Sequence, residues 1–260
     1  MPWPTETLKS WQEFEESLGG KDLGNPLKLR YLHRGQSNSA WSLRTALGRT
    51  LKAGISVADA LAIERDLVRI FRSQAHIHLR SEFLPRGDDV LEWWQVMQHY
   101  GAPTRMLDWT SSSFVAAYFA VVDSWDVDGA IWTVHPLTLH RAATPLLKGN
   151  ALANVIERAD APGLVLPVTT RRHSDRTVAQ QGAFTIAANV LGDQDSLIDA
   201  ASAPHQKEDS FVYGKFIIPK TIKPEFLHRL HAMNVSAAAL FPGHDGLGRS
   251  LSERARLGSL

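Results

Sequence analysis

The residues best suited to chemistry fall in separate parts of the chain. Arg34 stands beside Gly35 and Gln36, and a guanidinium next to a glycine is a ready fork for a diphosphate or a carboxylate. Farther on, Thr104-Arg105-Met106-Leu107-Asp108-Trp109-Thr110-Ser111 packs charges, a large aromatic ring and hydroxyls just before the apolar run Phe114 to Val122. Burying such a polar cluster between helices is costly unless something binds it. Each group also has a structural use. Arg34 can pair with a buried carboxylate, for which Asp108 is the obvious candidate, and Trp109 can pack in the core or stack on a flat heterocycle. Thr110, Ser111, Ser112 and Ser113 can cap the helix that follows. Capping and binding coexist, because free N–H groups and the positive dipole end of a helix favour an anionic group or a ribose hydroxyl nearby.

Arg171, Arg172, His173 and Arg176 make the densest positive charge, just ahead of Gln180-Gln181. They read either as a solvated loop or as a contact with nucleic acid or a nucleotide phosphate. No aromatic residues are interleaved to stack bases, which weighs against nucleic acid. Histidines are numerous, but His76 and His78 point in different directions on a helix, and His228 with His231 lacks the HExxH carboxylate, so no metal is expected. There is no Gly-x-Ser-x-Gly elbow, Walker loop or GxGxxG. The absence of cysteine excludes disulfides, thiolate catalysis and cysteine-ligated metals.

Several elements must position these groups. Asp88 or Asp89 starts a helix that carries Trp94, Met97, His99 and Tyr100 at helical spacing. Gly101 and Pro103 end it, and the polar stretch is then expected to be a sharp bend between two helices. Upstream, Thr5 caps a helix over about 5–18, a strand spans about 27–36 and closes at Gly35, and a short helix covers Trp41 to Leu47. Ser56 caps a long helix to about Arg80. Downstream, strands are expected at Gly129 to Val134, Ala183 to Ala187, Phe211 to Pro219 and Ala237 to Phe241. A helix opens at Pro224. Residues 193–209 read as an exposed loop, and the chain finishes in a helix and a loose tail. With 260 residues, 44% of them hydrophobic, this is enough for one α+β domain with a core over about 27–251. The formal charge of +1 gives no global field toward nucleic acid or anionic lipid. No signal pattern or bilayer-length apolar run is present, so a cytoplasmic setting with no membrane partner is expected.

Taken together, these segments resemble the FRG domain family, named for a Phe-Arg-Gly triplet. Here the triplet reads His33-Arg34-Gly35, followed by Gln36, Trp41-Ser42-Leu43 and Arg49. The run QHYGAPTRMLDWTSSSFVAAYFA is the more specific match. Weaker ones follow at Arg176 with Gln180-Gln181-Gly182, at Lys215 to Pro219, and at Leu240-Phe241-Pro242 with Asp245. The family's suggested kinship with ADP-ribosyltransferases implies a split β-sheet core with helices packed around it and NAD in the cleft between the halves. On that analogy Arg34, Gly35, Gln36, His99, Arg105, Asp108 and Trp109 would bind NAD, and Arg34, Thr110, Ser111 and Gln181 would serve catalysis. Those enzymes carry a Glu where this chain has Gln180-Gln181. The implied activity is mono-ADP-ribosylation of a macromolecular acceptor, protein or nucleic acid, in a toxin or conflict effector. The alternative is an inactive module that binds or senses NAD.

Overall fold

The computed structural model describes residues 3–19, 31–168, 174–206 and 211–258. The first residues of the strand expected from Leu27, and Arg171 to His173, lie outside these. Strands β1 (Thr5–Thr7), β2 (Leu32–Gln36), β3 (Met106–Thr110), β4 (Gly129–Val134), β5 (Val165–Val168), β6 (Gly182–Ala187) and β7 (Tyr213–Ile218) form one sheet in the order β1-β7-β4-β2-β3-β6-β5. β1 runs parallel to β7, and the other neighbours are antiparallel. Helices pack around this sheet, giving a mixed α+β architecture.

The central helix is Ser113–Val121, and Ser112 caps it by accepting a bond from the Val115 N–H. Its alanines lie directly on the sheet. A Cβ added at Gly35 would stand 1.9 Å from the Ala116 carbonyl oxygen, and one at Gly129 would stand 2.2 Å from that of Ala120. Gly35 therefore lies within β2 and makes room for helix backbone, where the sequence suggested a strand end open to a ligand. Trp11, Phe14, Ile131, Phe216 and Phe226 complete the core on this side. A second core joins Trp93, Trp94 and Met97 of helix Val90–His99 to Met106 and Ile186, and a third gathers Leu32, Leu107, Trp109 and Trp132.

The helices Val57–His78, capped by Ser56, and Val90–His99, capped by Asp89, stand where expected, and Gly101 takes a positive φ of 82° behind the second. Several expectations are corrected. The polar stretch after Pro103 is a central strand, because Met106, Leu107 and Trp109 bury on the two faces of the sheet while the backbone ladders with β6. Residues 5–7 are an edge strand, since β7 offers main-chain partners that a solvated helix start lacks; the first helix begins at Trp11, capped by Ser10. Residues 194–202 form a helix that buries Gln194, Ile198, Asp199 and Ser202. Ala237–Leu240 is a helical turn, and the short helix expected at Trp41 starts only at Ala46.

Asp195 links the first segment to this helix: its carbonyl accepts from Trp3 Nε1 at 3.1 Å and its Oδ1 from the Leu43 N–H at 2.8 Å. Burial raises its pKa from 3.8 to about 6. The folded state therefore holds this proton to higher pH than the unfolded chain, and stability is lost as pH rises through that window. Asp195→Asn should stabilise the protein at pH 7 by about 1–2 kcal/mol, the shift being discounted for partial exposure. Urea unfolding at pH 7 and at pH 4 checks this, because the gain should vanish at the lower pH.

Candidate functional site

Between β2 and β3 the ladder is a single registered pair, His33 opposite Thr110. A cavity of about 240 Å³ opens there, lined by Arg34, Gln98, His99, Asp108, Arg176 and Gln180 among others. Arg34 reaches from β2 to the β3 backbone, donating from Nη1 to the Asp108 carbonyl at 2.7 Å. Its Nε is buried and has no hydrogen-bond partner among the described residues. Burial lowers the guanidinium pKa; Asp108 opposes the shift and Arg49 adds to it. The expected Arg34–Asp108 ion pair is replaced by this main-chain contact. The Asp108 carboxylate turns instead to Gln98, whose Nε2 donates to Oδ1 at 2.5 Å. Thr104 Oγ1 in turn donates to Gln98 Oε1 at 2.7 Å.

Arg176 enters from the short helix Asp175–Ala179, which Ser174 caps. Its guanidinium lies 4.8 Å from the Phe241 ring centroid. Burial lowers its pKa too, with Asp108 opposing and Arg249 adding. His99 is likewise lowered, first by burial and then by Arg176, so its ring is uncharged at neutral pH. A second cavity of about 690 Å³ shares Gln95, His99 and Arg176 with the first and continues past Phe83, Glu92, Tyr100 and Asp175. The arrangement is a crevice whose inner end holds two cations and one carboxylate, suited to an anionic ligand such as a diphosphate.

Other residues singled out in the sequence lie elsewhere or are already engaged. Arg105 is buried at the far side of β3: Nε donates to Glu64 Oε1 at 2.7 Å, Nη2 pairs with Glu64 Oε2, and Nη1 reaches the Ile156 and Ala188 carbonyls at 3.0 and 2.8 Å. It stacks on Trp94 and does not line the crevice. Gln36 is buried between the Ser42 carbonyl and Trp132 Nε1. Trp109 edges the cavity but belongs to the core, its indole N–H held by Thr185 Oγ1 at 2.8 Å. Thr110 lines the cavity with its hydroxyl spent on the Gln180 carbonyl. Ser111 and Gln181 meet each other outside it, Ser111 Oγ standing 3.4 Å from Gln181 Oε1. Gln180 is the glutamine in the wall, and its amide donates to the Leu240 carbonyl.

Gln95 and Gln98 carry no assigned role in the sequence, although Gln98 opens the run QHYGAPTRMLDWTSSSFVAAYFA. Their spacing with His99, three and four residues apart, puts all three on one helix face, a polar counterpart of the apolar stripe that was noticed. In the sequence Arg176 stands out as part of a basic run and as one of the weaker family matches. The Arg105–Glu64 pair predicts a stability effect: Arg105→Met alone should cost about 3–5 kcal/mol, while Glu64→Leu with Arg105→Met should recover most of it, as denaturant unfolding would measure.

Among the described residues, no helix is long and apolar enough to cross a membrane, and no group of three or more histidine, aspartate or glutamate side chains is placed to hold a metal ion. Neither a curated protein nor a solved structure matches the chain. A family model does, over residues 29–128, which cover β2, β3 and the helix between them that supplies Gln98. Over that stretch the chain matches the model of the FRG domain.

Proposed function

We propose that this protein is an ADP-ribosyltransferase that takes NAD as substrate and modifies a macromolecular acceptor. The observation that carries the reading is Arg34, a cation in the gap of the sheet whose buried Nε lacks a partner among the described residues. An unpartnered guanidinium N–H in low dielectric is costly and is relieved by an anionic oxygen. The NAD diphosphate offers such oxygens, and Arg176 supplies a second cation to the same cavity. The one-pair junction between β2 and β3 supports the analogy with a split sheet that holds the dinucleotide between its halves. The adjoining larger cavity gives room for the rest of the dinucleotide or for the acceptor. A toxin or conflict effector acting in the cytoplasm fits such chemistry.

A second reading is a module that binds or senses NAD without turnover. The glutamines favour it, since the Gln180 amide is tied to Leu240 and Gln181 faces Ser111, so neither brings a carboxylate into the crevice.

Both readings require NAD and ADP-ribose to raise the melting temperature and nicotinamide alone to do little, because the diphosphate carries the binding. Arg34→Gln, and independently Arg176→Gln, should weaken NAD about 10- to 100-fold by removing charge-assisted bonds. Release of nicotinamide from labelled NAD, with transfer of label to a protein, DNA or RNA acceptor, selects the transferase. If neither NAD nor ADP-ribose stabilises the folded protein, both readings fail.

A further inference from the structure

The transferase reading leaves one chemical role open: the group that answers the positive charge on the ribose C1′ as nicotinamide departs. Among the described residues lining the inner cavity, Asp108 carries the one carboxylate. It is the exposed position in a strand whose other residues are buried. Its Oδ1 is held by Gln98 Nε2 at 2.5 Å. The Gln98 carbonyl is in turn held by Thr104 Oγ1 at 2.7 Å, and Thr104 is fully buried. An amide whose oxygen is already bonded to a hydroxyl presents only its N–H₂ group, so Gln98 is fixed as a donor toward the Asp108 carboxylate. Arg34 spends its contact on the Asp108 main-chain oxygen, which fixes the strand and leaves the carboxylate unpaired with it. The result is an oriented negative charge, anchored through one oxygen, in the cavity that holds two arginines.

We infer that Asp108 is the catalytic carboxylate of this site and that Gln98 positions it, an inference that rests on NAD being the substrate. In the reaction the C1′–N1 bond of the nicotinamide ribose breaks, and its electron pair leaves with neutral nicotinamide. The ribosyl carbon becomes an oxocarbenium ion facing the Asp108 carboxylate. The acceptor nucleophile, or water, forms the new bond to C1′ and gives up its proton to Asp108, which passes it to solvent. The charged and titratable groups around Asp108 are Arg34 and His33 of β2, Arg176 of helix Asp175–Ala179, and His99 of helix Val90–His99. A carboxylate on β3 can thus do what the glutamines beside β6 cannot.

Steady-state nicotinamide release and ADP-ribose-induced melting shifts, measured on the full chain, test this. Asp108→Asn should lower kcat about 10²- to 10³-fold while KM for NAD and the ADP-ribose shift stay within about 3-fold. Asp108→Glu should restore part of the rate. Gln98→Ala should lower kcat about 10-fold. The Gln98 effect should fall on kcat alone, with KM for NAD staying within about 3-fold of wild type, a split that misfolding would not produce. A wild-type kcat in Asp108→Asn, or a loss of ADP-ribose binding in parallel with the rate, overturns this assignment and leaves the transferase reading standing. Wild-type protein that binds NAD but releases no nicotinamide overturns both.

Discussion

The contact on which the rest of the structure depends is backbone against backbone. Helix Ser113–Val121 sits so close to the sheet that the Ala116 and Ala120 carbonyls occupy the space where Gly35 and Gly129 would carry side chains. This seating is possible only because both sides are small: glycine in β2 and β4, alanine at 116, 117 and 120. It brings the helix start, and with it the end of β3, to a fixed height over β2. Arg34 is the residue next to Gly35, so the same close approach fixes where the guanidinium begins its reach across the gap. Packing density at the core and the position of a charge in the crevice are therefore one constraint.

The chain holds arginines in two contrasting states. Arg105 is satisfied: a bidentate carboxylate, two carbonyls and an aromatic face use its donors and its plane. Arg34 makes one bond to a main-chain oxygen and keeps a buried N–H unused. Both are taken out of water, and what separates a structural cation from a binding one is how completely the protein answers it. Arg176 is intermediate, with an aromatic ring beneath it and Asp108 sharing its field. A single carboxylate facing two arginines leaves the inner crevice net positive.

Much of the frame was legible in the sequence because its signals are local. Ser56, Asp89, Ser112 and Pro224 mark helix starts through bonds or ring geometry within a few residues, and Gly101 marks a stop through its own φ. Residues 104–111 were misread as a bend because Pro103 and the polar side chains are turn signals, whereas the deciding partner, β6, lies some 75 residues away. Residues 5–7 and 194–202 were lost for the same reason, their partners being distant in the chain. Of the residues lining the crevice, Arg34 and Asp108 stand out in the sequence by residue type, His99 through the family resemblance and Arg176 through the basic run. The role of Gln98 needed three dimensions, and the Glu64 partner that retires Arg105 from the crevice is forty-one residues upstream.

The one-pair junction between β2 and β3 has a further consequence. Outer strand edges of a sheet are exposed to pairing with foreign chains, and proteins must guard them. Here β2 and β3 share one registered pair, His33 opposite Thr110, in the middle of the strand order, so the break in the ladder lies inside the sheet and not at its outer margins, which are β1 and β5.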